Sequence, residues 1–462
     1  MHRSVVIGCL VFLGCGGHAQ RAVALYETGD YAGAARAADA ELAAHPGDEA
    51  LWQMRVRAAL AQGDGPGVAK AYAAYRGQLE GDDDRELLRD LATATLGQAL
   101  ASPSVKLKIA AIEAIEAAEL QGLAEQVAQR MADDDDRVVA AAAVAVLRGY
   151  PQAPQAAGDM LHSEDAEARR IAVDGIGKKV GKLALSDLET AAGDADPRVR
   201  RAALRWLGQL KDTDAVALVT QRLSDPDDAV RAAAASALAR IGMPDTARLA
   251  ALGKAAAGDR ALAVRIAGIE LLVVAHARAE LAALAEDPDP VVAVEAAIAA
   301  GGGAPAARAI ERAAAAAEWN VRAAAANLAV RALGKPAAVA LAHKLVTDAE
   351  PAVQVAAARV LAHAGESQAA AAVFGAVLGN PALRGLRVDA ALDLAALGDP
   401  RGVQALDDAV RDAAHGSAAR AAAAAAHRTA HRITPGLVAA LADDSAAVRV
   451  EAATALAMLT RH

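Results

Sequence analysis

The chain has 462 residues, of which about 29% are alanine and only 2% are aromatic. Alanine is the strongest helix former, whereas strands favour β-branched and aromatic side chains, so this composition argues against β-sandwiches, β-barrels and most α/β folds. Hydrophobic residues make up 55% of the chain, which argues against disorder. The net charge is −9 and the bases are spread along the sequence, without the basic excess or clustered basic stripe that is typical of nucleic-acid binders.

The first nineteen residues predict an export signal. A short basic start precedes an apolar run from Ser4 to Gly14, which is too short to span a bilayer but fits a secretory signal. The run ends in Phe12-Leu13-Gly14-Cys15, which resembles the bacterial lipobox, although Phe12 replaces the usual leucine. The resemblance implies that Cys15 is lipidated and becomes the new N-terminus.

Other interpretations of this segment stay open. The lipobox letters also fit Val6 to Cys9, but that site would leave an apolar run too short for recognition. Ordinary cleavage after Ala19 would discard Cys15 and release a secreted or periplasmic chain, and a cytosolic chain with an apolar start is a further alternative. If Cys15 is lipidated, its several acyl chains give a firm membrane anchor. Because no aspartate follows Cys15, the resemblance implies the outer membrane, facing the periplasm.

Residues 20–98 repeat with a period of 34. The pair Gly29-Asp30 recurs as Gly63-Asp64, and in both copies helix-like patterns of small and apolar residues flank the pair. The pattern resembles the tetratricopeptide repeat and implies two helical hairpins, with a degenerate third half marked by Gly97. Four tyrosines fall in this stretch and would either line a peptide-binding groove or, as we favour, fill space between helices: Tyr26, Tyr31, Tyr72 and Tyr75.

A second repeat occupies residues 99–462. Its clearest copy is the run from Asp196 to Gly208, in which a Val-Arg pair sits at Val199 and Arg200. Taking the arginine as an anchor gives twelve evenly distributed copies: Lys108, Val139, Arg169, Arg200, Arg231, Arg265, Ala293, Arg322, Gln354, Arg387, Arg420 and Arg449. Their spacing lies within the range of helical repeat proteins. A valine or leucine precedes most anchors, and a large aliphatic residue such as Leu207 usually follows seven positions later, so that both lie on one apolar stripe of a helix.

This repeat resembles the HEAT family, in particular its short bacterial form that also occurs in phycobilin lyases. The resemblance implies an all-α fold, a right-handed α-solenoid (α-α superhelix) of about twelve stacked helical hairpins. Each second helix is expected to begin at an acidic N-cap followed by proline: Asp196-Pro197, Asp225-Pro226, Asp287-Pro288 and Glu350-Pro351. An acid four residues before some anchors is expected to bridge neighbouring repeats in a structural charge ladder: Asp165, Asp196, Asp227 and Glu318. We expect wider turns, without domain boundaries, at 301–305 and 379–381.

The sequence contains no glycine-rich phosphate loop, zinc-type cysteine cluster or nucleophile elbow. We therefore predict no catalytic residue, no cofactor and no metal site. The best metal candidate is the pair His427 and His431 with His415 upstream, for which a structural or exposed role is favoured. The acidic runs at 82–84 and 133–136 are expected to serve turns and helix caps.

These observations favour a non-catalytic scaffold. It would be anchored in the cell envelope through a lipid on Cys15 and would bind proteins or peptides, and not nucleic acid, on a solenoid surface. The alternative is a HEAT-type lyase-like enzyme that acts on a chromophore or a modified protein, and the export signal argues against it. A HEAT-type DNA-repair enzyme is a weaker third hypothesis, opposed by the acidic balance.

Overall fold

The structure, a computed structural model, describes residues 17–79, 83–412 and 416–461. In these residues every regular element is helical, and no strand occurs. This confirms the predicted all-α solenoid of helical hairpins. Cys15, the predicted lipid-attachment residue, and His415 lie outside the described residues. No helix in the described ranges combines the length and apolar character needed to cross a bilayer.

The chain divides into two compact units, which are residues 1–130 with 380–462, and residues 131–379. One division falls between Gly379 and Asn380, where the sequence predicted a wider turn without a boundary. The helices of the first unit are α1 Gln20–Glu27, α2 Tyr31–Leu42, α3 Glu49–Ala61, α4 Gly65–Arg76, α5 Arg85–Leu100, α6 Val105–Ala117, α7 Ala124–Gln129, α24 Arg384–Ala396, α25 Pro400–Arg411, α26 Ser417–Ala430, α27 Pro435–Ala439 and α28 Ala446–Leu459.

The second unit contains α8 to α23, and within it the second helices of successive hairpins stack side by side. The order is α8 Asp136–Ala145, α9 Ala153–Met160, α10 Ala166–Lys179, α11 Leu185–Ala191, α12 Pro197–Leu210, α13 Val216–Arg222, α14 Asp228–Ile241, α15 Thr246–Ala257, α16 Leu262–Val274, α17 Arg278–Leu284, α18 Pro290–Ala299, α19 Ala304–Ala314, α20 Trp319–Leu333, α21 Lys335–Leu345, α22 Pro351–Ala364 and α23 Ser367–Gly379. Helices α10, α12, α14 and α16 pack against one another in that sequence.

The apolar stripe predicted around each anchor forms the core between these helices. Val199 and Leu207 in α12 are fully buried, and so are the corresponding Val230 and Leu238 in α14. Small residues allow the helices to come close together. At Gly268 in α16, an added Cβ would lie 2.4 Å from a backbone nitrogen of α15, so only glycine fits there without a shift.

Four helices were predicted to begin at an Asp-Pro or Glu-Pro pair. Two of them begin at the predicted pair, and the other two begin further along the chain. Asp196 caps α12 and Pro197 is its first residue, and Glu350-Pro351 begins α22, although the Glu350 side chain makes no capping hydrogen bond. The prediction was wrong for Asp225 and Asp287, because α14 and α18 begin two residues later. Their N-caps are Asp227 and Asp289.

The repeat period in the first unit corresponds to two equivalent turns. Gly29 and Gly63 adopt φ values of +83° and +70°, which glycine reaches without strain. Asp30 and Asp64 then cap α2 and α4, with side chains that accept backbone N–H groups at 2.7 and 3.0 Å. Gly97 lies inside α5 and marks no turn. The tetratricopeptide resemblance of this segment remains a prediction.

Two of the four tyrosines are part of the core. Tyr72 and Tyr75 are almost fully buried, and their hydroxyl groups donate to Asp83 and Asp84 at 2.7 Å. Burial, followed by the hydrogen bond to the aspartate, raises the pKa of each phenol above its ordinary value. The space-filling interpretation is therefore confirmed for this pair. Asp84 also caps α5, as the acidic run predicted.

Within the first unit, the helices from the two ends of the chain pack together. Helix α4 contacts α27, and α5 contacts α28. The Arg76 guanidinium donates to the carbonyl oxygen of Ile433 at 3.1 Å, and Arg89 donates to that of Ala457 at 3.3 Å. The last repeat is thus covered by N-terminal helices, although its apolar stripe would otherwise face water. The sequence did not predict this pairing, since the hydrogen-bonded partners are 357 and 368 residues apart.

Candidate peptide-binding groove

A ladder of partly buried ion pairs, of which Arg200–Asp225 is the most buried, joins successive repeats. Arg200 donates through Nε and Nη2 to the Asp225 carboxylate at 2.9 and 2.7 Å, and through Nη1 to the carbonyls of Asp194 and Ala195 at 2.9 Å. Arg169, Arg231 and Arg322 make the same contacts, so each of these arginines joins the loop of its own repeat to the loop of the next. The rungs of this charge ladder are Arg169–Asp194, Arg200–Asp225, Arg231–Asp259, Arg265–Asp287, Arg322–Asp348 and Arg420–Asp443.

The sequence predicted a ladder between repeats but assigned the wrong acids. Asp196 and Asp227, four residues before their anchors, cap their own helices instead. Asp165 caps α10 and also lies 3.6 Å from Arg137 of the preceding repeat, so it alone makes a bridge of the predicted kind among these three acids. Glu318 makes no capping hydrogen bond and is also not a rung. The true partner lies two residues before the N-cap of the following repeat. An N-cap side chain points at the free N–H groups of its own helix, so its shortest hydrogen bonds lie within its own repeat.

In the rungs at Asp225, Asp259 and Asp348, the arginine stabilises the ionised carboxylate. Hydrogen bonds from Arg231 lower the pKa of Asp259, and those from Arg322 lower the pKa of Asp348. Burial raises the pKa of Asp225, but the hydrogen bonds from Arg200 and from a backbone N–H outweigh this effect, and the pKa is lowered.

The ladder aligns α10, α12 and α14, and a groove of about 390 Å³ runs across their exposed faces. Five arginines and one aspartate line its sides, and we call it the arginine groove. The charged lining residues are Arg170 and Asp174 of α10, Arg198, Arg201 and Arg205 of α12, and Arg240 of α14. The remaining lining is small: Ala202, Ala229, Ala232, Ala233, Ser236 and Ala237. Arginines three and four positions apart share one face of a helix, which explains the cluster on α12.

Carboxylates hold some of these arginines in place. Arg170 pairs with Glu167 and with Asp174, both at 2.7 Å, and Arg205 also pairs with Asp174. The hydrogen bond from Arg170 lowers the pKa of Glu167. Asp174 additionally accepts the indole N–H of Trp206 at 3.1 Å, so one carboxylate organises side chains from two helices.

Two other arginines of the groove are available to a ligand. Arg201 and Arg240 are exposed, and neither has an ion pair or side-chain hydrogen bond with any residue in the described ranges. A guanidinium group binds carboxylate in a two-point, planar geometry, and the alanine floor gives a ligand backbone room to approach. The groove can therefore hold an extended acidic segment, although the net charge of the whole protein is −9.

The sequence did not predict this groove, because no clustered basic stripe was expected. Locally that expectation was wrong. The signal lay in the repeat register: Arg170 and Arg201 occupy the same position of successive repeats, and so do Asp174 and Arg205. Positions one repeat apart become neighbours only when the second helices stack.

The predicted residues elsewhere have structural roles or lie outside the described ranges. His427 is fully buried, its Nδ1 lies 2.9 Å from the Ala423 carbonyl, and its Nε2 lies 3.1 Å from the Thr434 hydroxyl. Burial lowers the pKa of His427. His431 is exposed and ends α26 in the left-handed conformation. The two histidines do not form a chelating pair, in agreement with the favoured structural role.

Comparison with known families identifies the repeats that carry the groove. The family described as HEAT repeats matches residues 154–223 and 185–273, and the PBS lyase HEAT-like repeat matches residues 386–412. The chain contains HEAT repeats. The arginine groove lies on three successive second helices of these HEAT repeats.

Several solved structures are similar to this HEAT-repeat chain. The complex of CpcE and CpcF of phycocyanin lyase from Nostoc sp. PCC7120 has 23% identity over 56% of this chain and 96% of that one, with a TM-score of 0.28. The karyopherin Kap121p bound to the SUMO protease Ulp1p has 14% identity over 84% of this chain, with a TM-score of 0.38. Importin beta has 15% identity over 89% of this chain, with a TM-score of 0.30. The alignments span 46% of Kap121p and 59% of importin beta. No curated protein sequence matches the chain.

Proposed function

We propose that the protein is a non-catalytic scaffold that binds an acidic segment of a partner protein in the arginine groove. The observation that supports this proposal is the pair of exposed, unpaired arginines, Arg201 and Arg240, above an alanine floor. Stacked repeats offer extended surfaces of this kind, and their rigid helices keep the arginines in place before binding. Because Arg201 and Arg240 are exposed, ion pairs formed with them would stay partly hydrated and would lose less solvation than buried ion pairs.

The proposal includes attachment to the cell envelope through a lipid on Cys15. Its support is the export signal and the lipobox resemblance in the sequence. Incorporation of labelled palmitate into the wild-type chain, lost in Cys15→Ala, is the expected result. Incorporation that is unchanged in Cys15→Ala would contradict the anchor and leave the groove proposal intact.

A defined probe tests the groove directly. Fluorescence anisotropy is measured with a labelled decapeptide of alternating glutamate and alanine, and with a ten-nucleotide oligothymidine. We expect the peptide to bind, and the double variant Arg201→Ala/Arg240→Ala to weaken binding at least about tenfold, because two charge-assisted contacts are lost. The matched control is Arg248→Ala/Arg278→Ala, which removes two exposed arginines outside the groove and should not change the affinity.

The oligonucleotide serves as the competing ligand. If it binds more tightly than the peptide and loses that affinity in the groove variant, a nucleic-acid surface replaces the proposed peptide site. If the peptide binds equally well to the groove variant and to the control, the groove is not the binding site. If only the groove variant weakens peptide binding, a photo-crosslinking residue at Ala233, on the groove floor, is expected to capture the natural partner from envelope fractions.

A second candidate function is a lyase-like enzyme. The observation that favours it is the match of residues 386–412 to the PBS lyase HEAT-like repeat. Its test is absorbance spectroscopy of the protein mixed with a linear tetrapyrrole and a thiol-bearing acceptor protein. A covalent coloured product formed only in the presence of this chain would support the enzyme and contradict the non-catalytic scaffold.

A further inference from the structure

Three side chains of types that can ligate a metal ion lie close together near the start of the described residues. One ligand atom from each of His18, Glu41 and His45 lies within 4.8 Å of the other two. The imidazole rings of His18 and His45 stack, with centroids 3.5 Å apart and planes inclined by 18°. Beyond this contact, none of the three side chains has a hydrogen bond or ion pair with another described residue. We propose that they form a zinc-binding site.

The backbone brings two of the ligands together. Glu41 lies in the last turn of α2, and the His45 N–H donates to the Glu41 carbonyl at 2.8 Å, so the turn continues to His45. Residues four apart in such a turn share one side. The site also lies at the carboxyl end of α2, where the partial negative charge of the helix dipole favours a cation.

The hydrophobic core holds the third ligand in position. Ala19 follows His18 and is 2% exposed, and Leu42 follows Glu41 and is 7% exposed. Both belong to one core cluster. Since the neighbours of two ligands are fixed against each other, small side-chain rotations would bring the three donor atoms to a common ion. This lowers the conformational-entropy cost of zinc binding.

The donor set indicates the class of metal. Two imidazole nitrogens and one carboxylate oxygen suit Zn²⁺, which takes such ligands at about 2.0–2.2 Å and leaves a fourth position for water. Calcium and magnesium prefer oxygen ligands throughout. The zinc ion would tie the start of α1 to the end of α2, close after Cys15 in the chain. The proposal rests on maturation at Cys15, because cleavage after Ala19 would remove His18.

The test uses the full chain carrying Cys9→Ser and Cys15→Ser, which contains no thiol and so isolates the histidine and carboxylate ligands. Zinc binding is measured by calorimetry and by competition with a chromophoric chelator. We expect one zinc ion per chain, and at least about tenfold weaker binding in His18→Ala, Glu41→Gln and His45→Ala. X-ray absorption at the zinc edge should show two imidazole ligands at about 2.0–2.1 Å.

The matched control is His343→Ala. His343 pairs with Glu366 at 2.8 Å, and this pair offers only two ligands, so its loss should leave the zinc affinity unchanged. The inference is overturned if no zinc binds, or if one zinc still binds to the triple variant of His18, Glu41 and His45. Because this chain needs no processing, either result is independent of the palmitate experiment on Cys15.

Discussion

Two stretches of the second unit join their repeats in different ways. From α10 to α18, four consecutive rungs of the charge ladder connect the loops, from Arg169 to Asp287. Between α18 and α20 the anchor position is occupied by Ala293, and the position two residues before the next N-cap by Ala316. Both members of the rung are therefore replaced together. A single charge left behind would be buried without a partner, whereas the loss of both leaves none.

Apolar packing, together with the exposed ion pair between Arg331 and Glu295, connects the second stretch. Val294 and Ile310, with surrounding alanines, form a cluster between α18, α19 and α20. Its turn, at Gly301, Gly302 and Gly303, has three successive positive φ values of 116°, 76° and 72°. Stacking of these repeats therefore needs the apolar stripe. The ladder adds stability and fixes the register where both of its partners are present.

Low pH is expected to have the largest effect on the stability of the protein. Four aspartates of the ladder, Asp194, Asp225, Asp259 and Asp348, have folded pKa values below the ordinary 3.8. Their stabilisation is therefore complete above that pH and is lost as the pH falls through the depressed values. We expect the melting temperature, followed by circular dichroism, to fall steeply between about pH 4 and pH 2. Pepsin at low pH should cleave residues 163–289 before residues 290–320. Preferential cleavage in the stretch without rungs would contradict this assignment.

Removing one partner of the most buried rung should have the next largest effect. In Asp225→Ala, Arg200 keeps its charge but loses its carboxylate, and the side chains of this pair are 10% and 1% exposed. The free energy of unfolding in urea should fall by about 3–5 kcal/mol. Arg331→Ala, which breaks an exposed pair with Glu295, is the control and should cost less than about 1 kcal/mol. Equal losses in the two variants would show that burial does not strengthen the rung.

Removing both partners should cost less than the sum of the two single changes. Arg200→Ala/Asp225→Ala reproduces the arrangement at Ala293 and Ala316, and neither charge remains unpaired. A double-mutant cycle measured by urea denaturation should give a coupling energy of about 1–3 kcal/mol. Additive losses would mean that the two side chains act independently.

Introducing the missing rung should have the smallest effect. Ala293→Arg/Ala316→Asp is expected to be more stable than the sum of its single variants by about 1 kcal/mol, because each single change adds a charge without a partner. The measurement is the urea midpoint of the double variant and of both singles. A double variant no better than that sum would indicate that the backbone between α18 and α20 holds these positions too far apart for a rung.

Much of the fold could be predicted from the sequence, because the apolar stripe and the helix caps are local patterns. Val199 and Leu207 were placed correctly in the core by spacing alone, and Asp196 correctly capped its helix. The acid partner of Arg200 could not be predicted in the same way, since Asp225 is 25 residues away in the sequence and Asp196 is nearer in the sequence. The proposed zinc ligands could not be predicted for the same reason, because His18 precedes α1 whereas Glu41 lies at the end of α2, and no local pattern joins them.

By itself the sequence determined the class of this protein. Its alanine content, the regular repeat and the Val-Arg anchors require helical hairpins that bury one stripe each. The tertiary structure decided which arginines pair with which acids and which helices cover the last repeat. It also decided which two arginines of the groove have no ion pair with another described residue. These outcomes depend on contacts between residues of successive repeats or between residues near opposite ends of the chain. Local propensities do not encode such pairings, and only the packing of whole helices determines them.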